Sequence, residues 1–116
     1  MTISISNSLQ GIKVQVAALI KIFPKTPMAS VPKAEIQIPW ICQTLDEAAS
    51  AYETKKDPFG NPITMAQISS GLRQLLIIVR EPSYITQMEM AYPGIGKPLK
   101  DCMNELERVI NSIKST

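Results

Sequence analysis

"ITMAQISSGLRQLLIIVREP", residues 63–82, is the stretch on which the fold turns. Two structures compete for it. With a turn at Gly71 it would be a helix-turn-helix, with Arg73 and Arg80 free to face DNA. Without that turn it is one straight helix of a bundle. The apolar positions Met65, Ile68, Leu72, Leu75, Leu76 and Val79 recur at helical spacing straight through Gly71, where the DNA-binding motif needs a break. The straight helix is favoured, over 65–81, although a glycine in a helix interior costs about 1 kcal/mol against alanine. Its start is marked by a capping box, Thr64 with Gln67 three residues on, and by Ile63 and Ile68 placed as a hydrophobic staple. Pro82 stops it.

The same spacing recurs on both sides. In "SNSLQGIKVQVAALIKIFP", residues 6–24, Leu9, Ile12, Val16, Leu19 and Phe23 line one face. This predicts a helix over 8–23, capped by Ser6, Asn7 or Ser8 and stopped by Pro24. Val14, Ala18 and Ile22 widen its apolar side, as for a helix with two neighbours. "PWICQTLDEAASAYETK", residues 39–55, buries Ile41, Leu45, Ala48, Ala49 and Tyr52, with Pro39 suited to the first helical position. Ser83 can cap a short helix over 84–92. Pro98 opens a helix over 98–114 with the stripe Leu99, Met103, Leu106, Ile110 and Ile113. The expectation is therefore all-α: a compact four-helix bundle (8–23, 39–55, 65–81, 98–114), the short extra helix, and a long proline-rich connection between the first two. "TISIS" at 2–6 and "EIQI" at 35–38 alternate like strands, but an isolated two-stranded ribbon is marginal in water.

Composition agrees with one domain spanning residues 1–116, with 1–6 as an extended or flexible N-terminal segment. Hydrophobic residues make up 45% and charged residues 19%, which argues against disorder, while aromatics at 5% leave the core to aliphatic side chains. "MTISISNSLQ" lacks the basic region of a signal peptide, and no apolar run approaches a membrane span, so the expected location is cytoplasmic. Cys42 and Cys102 have no metal-ligand spacing and read as free thiols. No metal or cofactor is implied. "PGIGKP", residues 93–98, follows no strand and forms no phosphate-binding fingerprint.

Histidine is missing from the chain. That removes Ser-His and Cys-His activation and the usual base near neutral pH. The carboxylates Asp46 and Glu47, or Asp101, Glu105 and Glu107, read as solvated helix surface. An enzyme is not expected.

Apolar residues away from the stripes carry the functional reading. Ile77 lies about 140° from the centre of its stripe, taking about 100° of turn per residue. It stands between Arg73 and Arg80. Ile78 and Gly71 share another flank, Trp40 lies off its own helix's stripe, and Tyr84, Met88, Met90 and Tyr92 crowd the short helix. Trp, Tyr, Met and Arg are enriched at interface centres. The expected function is a non-enzymatic protein-interaction module, such as an adaptor, regulator or assembly subunit. It would bind itself, as a homodimer or other homo-oligomer, or a protein partner through Trp40, Arg73, Ile77, Arg80, Tyr84 and Met88. The competing expectation is that the short helix and the proline arm cover these positions. A second class, a weak nucleic-acid or anionic-surface binder, would use Lys13, Lys21, Lys25 and Lys33, which all precede the first acid, Glu35. Membrane association is disfavoured because the stripe of the first helix suits a bundle core.

Overall fold

The computed structural model describes residues 4–23 and 32–114. It contains five helices: α1 (Ile5–Ile22), α2 (Pro32–Thr54), α3 (Met65–Arg80), α4 (Pro82–Ala91) and α5 (Gly96–Lys114). Among the described residues there is no strand, only an isolated bridge between Lys56 and Pro62.

The apolar stripes meet where the spacing places them. Leu9, Ile12 and Val16 of α1, Ile41 and Leu45 of α2, Leu72 and Leu75 of α3, and Leu99, Met103, Leu106 and Ile110 of α5 are all buried in one core. α1 packs on α2 and α5, and α3 packs on the same two helices, while among the described residues the backbones of α1 and α3 come no closer than 8 Å between Cα atoms, nor do those of α2 and α5. This is a ring of four helices with two diagonals. Its direction alternates, because partners run in opposite order along adjacent helices. Ser6 reaches Glu53 whereas Gln10 and Lys13 reach Asp46, and Arg73 reaches Asn111 whereas Arg80 reaches Asn104. α4 lies across α2, α3 and α5.

Helix boundaries depart from the sequence reading at four places. α1 starts at Ile5 with Ser4 as N-cap, its hydroxyl accepting from the Asn7 N–H at 3.4 Å. Ile5 extends the stripe by one turn before Leu9 and is buried, which favours helix over an extended segment. α2 begins at Pro32, so Pro39 lies inside it and the connection between the two helices is shorter than expected. The gain is that Ile38, which is fully buried, joins Ile41 and Leu45 on the core face. The segments 5–6 and 35–38 are thus helical rather than strand-like. α4 takes Pro82, rather than Ser83, as its opening, and α5 starts at Gly96. Most of the proline-rich segment, with Pro24 and Pro27, lies outside the described residues.

α3 follows the reading closely. The Thr64 hydroxyl accepts from the Gln67 N–H at 3.2 Å, and the Gln67 side chain accepts from the Thr64 N–H at 2.8 Å, a reciprocal capping box. At the other end of the molecule the loop between α4 and α5 is held by Glu89. Its carboxylate accepts from the backbone N–H groups of Gly94 at 2.8 Å and Gly96 at 2.7 Å. A negative charge thereby sits at the N-terminus of α5, where the unpaired amides and the helix dipole favour it. Gly94 has φ of 94°, and a Cβ there would meet the Phe23 ring at 3.1 Å, so the turn needs a glycine for both reasons.

Candidate protein-interaction surface

α3 presents its buried stripe to the core, and its two sides lean on different neighbours. On the α5 side the Arg80 guanidinium donates to both carboxylate oxygens of Glu107, at 3.1 and 3.4 Å, and to Asn104 at 3.0 Å. Two turns earlier Arg73 donates to Asn111 at 3.5 Å. The Arg80 guanidinium beside it holds the Glu107 carboxyl below the usual carboxylate range. Both arginines therefore reach across to α5 within the chain, and Arg80 stays exposed at the surface.

On the α2 side a groove of about 170 Å³ separates the two helices. Thr44, Ala48 and Ala51 of α2 and Ile68, Gly71 and Leu72 of α3 line it. The small residues leave room: a Cβ placed on Gly71 would have no atom within 4 Å. Trp40 stands one turn before Thr44 on the same flank of α2 and is 37% exposed.

Between these two sides lies the outward face of α3. Ser70, Gln74, Ile77, Ile78 and Glu81 are exposed there. Ile77 is 57% exposed and Ile78 41%. Both keep this exposure with α4 and the other described segments in place.

Tyr84 and Met88 correct the expectation of an open contact. They are 5% and 0% exposed, because α4 folds back and points them, with Ala91, into the core. Their spacing of four and three is itself a core stripe. Burial pushes the Tyr84 hydroxyl well above the usual tyrosine range, so it stays neutral. Among the α4 candidates only Met90 remains on the outside, while Tyr92 is buried.

The basic residues do not assemble into one site among the described residues. Lys13 lies 3.4 Å from Asp46, which also accepts from Gln10 at 2.8 Å. These contacts, the Gln10 hydrogen bond foremost, lower the Asp46 pKa. Lys21 is exposed on α1, Lys33 lies in the first turn of α2, and Lys25 lies outside the described residues.

The remaining groups are chemically quiet. The Cys42 thiol donates to the Lys13 carbonyl at 3.8 Å and the Cys102 thiol to the Gln15 side-chain oxygen at 3.8 Å. Burial raises the pKa of both thiols, and Asp101 adds to the rise at Cys102, so both are held as thiols rather than thiolates. A wider groove of about 510 Å³ between α1 and α5 is lined by Gln15, Ile22, Asp101, Cys102, Glu105 and Arg108, with Glu105 and Arg108 paired at 2.5 Å. Among the described residues no group of acids and cysteines is placed to hold a metal ion, and no helix is long and apolar enough to cross a membrane.

Two features of the α3 surroundings and the adjoining loop escape a reading of the sequence. One is the Glu89 clamp, whose carboxylate pairs with backbone amides that carry no side-chain signal. The other is the pairing of Arg73 and Arg80 with α5, which depends on which helices become neighbours. Comparison of the chain with protein-family models, curated proteins and solved structures finds no match.

Proposed function

We propose that the protein is a non-enzymatic interaction module that docks a protein surface on the outward face of α3. The carrying observation is the exposure of two adjacent isoleucines, Ile77 and Ile78, on a helix whose core stripe is already complete. Stability gains nothing from apolar side chains in water, whereas an association buries them at about 25 cal/mol per Å² of apolar surface. Trp40, exposed on α2 one turn before Thr44, belongs to the residue types that dominate interface energetics. An adaptor, a regulator or a subunit of an assembly would each use such a surface.

The nucleic-acid or anionic-surface reading is weaker, because Lys13 already has Asp46 as its partner. It would require binding that falls steeply with salt.

The test is a double variant, Ile77→Ser with Ile78→Ser, compared with wild type for association and for folding. The expected outcome is loss of self-association, or of a co-purifying protein, with unchanged helicity and a thermal midpoint within a few degrees of wild type. Retention of every association by the variant sinks the proposal.

A further inference from the structure

We propose that the occupant of this face is a second copy of the same chain, with α3 packed antiparallel against α3 of the partner subunit. The inference rests on the interaction reading above and commits it to one partner and one register.

The outward face of α3 is complementary to itself. It carries two small residues, Ser70 and Gly71, and two helical turns later two large ones, Ile77 and Ile78. Seven residues are about 10.5 Å of rise and return to nearly the same angle on the helix. Place a two-fold axis beside Gln74, perpendicular to the helix and midway between the small pair Ser70 and Gly71 and the large pair Ile77 and Ile78. The two helices then run antiparallel, and like flanks meet. Ile78 falls opposite the partner's Gly71, and Ile77 falls beside the partner's Ser70. Both pairs form twice, as an isologous contact requires. The notch is present in the isolated chain: nothing lies within 4 Å of a Cβ on Gly71, and the groove beside it holds about 170 Å³.

Charge selects the same arrangement. Between Ala66 and Ile78 the outward positions Ser70, Gly71, Gln74, Ile77 and Ile78 are uncharged, with Arg73 turned to Asn111 on the α5 side and Glu47 at the rim of the notch. Glu81 stands exposed at the C-terminal end and makes no ion pair among the described residues. An antiparallel copy brings each Glu81 toward the amide end of the partner's α3, whereas a parallel copy would place acid against acid.

The contact is modest. α3 has 16 residues, a length of about 24 Å. A single helix pair of that length buries less than the roughly 800 Å² per partner of a standard interface, so association should be weak and concentration-dependent.

Sedimentation equilibrium of the full chain over a wide concentration range should give a reversible monomer–dimer transition. Gly71→Leu fills the notch while replacing a poor helix former with a good one. It should raise the thermal midpoint of the dilute monomer and weaken dimerisation at least ten-fold, a pair of opposite effects that a purely structural glycine would not produce. Gln74→Cys, on the axis, should give a disulfide-linked dimer on mild oxidation. Gln67→Cys should not, because its two copies stand about 20 Å apart along the helices. Glu81→Lys should weaken the dimer, because it sets a cation at the amide end of the partner's α3. A monomer at every concentration overturns the second-copy assignment. If the Ile77→Ser, Ile78→Ser variant of that monomer still loses a co-purifying protein, the interaction reading survives alone. If nothing is lost, both fail. A dimer that Gln74→Cys does not cross-link, or that Gly71→Leu leaves as tight as wild type, overturns the register.

Discussion

α5 and α3 bury similar stripes yet face the outside differently. Outside its stripe of Leu99, Met103, Leu106, Ile110 and Ile113, α5 turns Lys100, Asp101, Asn104 and Arg108 to the surface. α3 buries Ile68, Leu72, Leu75, Leu76 and Val79 in the same way, but turns Ile77 and Ile78 outward with Ser70 and Gln74. The core demands are alike, so the bundle does not account for the difference. A helix with one side in water is built like α5; α3 is built like a helix that meets contacts on both sides.

The comparison breaks most sharply if core and outer positions are truncated in parallel. Leu106 is fully buried, and Leu106→Ala should cost about 2–5 kcal/mol in urea denaturation. The next largest effect belongs to the start of α5. Replacing Glu89 by alanine strands the Gly94 and Gly96 amides, and a loss of about 2 kcal/mol is expected, with amide exchange rising first in residues 94–99. At the start of α3, Thr64→Ala removes the capping box and should cost about 1 kcal/mol, read in the same way.

A smaller effect is expected with pH. The Asp46 and Glu107 carboxyls titrate below their usual values of 3.8 and 4.5 in the folded chain. A depressed folded pKa stabilises above the unfolded value, and that contribution is lost as pH falls through the folded one. Denaturation midpoints measured downward from pH 5 should therefore decline, and Arg80→Gln should flatten the part due to Glu107. Smallest of all is the effect of Ile77→Ser on the dilute monomer, expected within about 0.5 kcal/mol because the side chain already faces water. A loss comparable to that of Leu106→Ala would show Ile77 to be a core residue and remove the contrast between α3 and α5.

Much of the fold is legible in the chain itself. Periodicity locates all five helices, and it holds α3 straight through Gly71. The boundaries of α1 and α2 are not legible. Pro39 is locally suited to open a helix, but burying Ile38 beside Ile41 requires helix on both sides of it. The candidate site divides in the same way. Ile77 can be placed outside from its angle alone, and it is exposed. Tyr84 and Met88 look surplus to a short helix because nothing local states that α4 folds back across α2 and α3. Arg73 and Arg80 look free because Asn104, Glu107 and Asn111 lie on a helix that only the packed bundle brings alongside.

By itself, then, the sequence determined the helical class, the inward faces and the Thr64 cap, since each rests on residues within one or two turns of each other. Only the tertiary structure decided which helices adjoin, which charges find partners and which apolar side chains stay in water. Those outcomes depend on residues far apart in the chain, and their physical cause is competition for the same buried area. α4 and its neighbours cover Tyr84 and Met88, while the described segments leave Ile77 and Ile78 exposed.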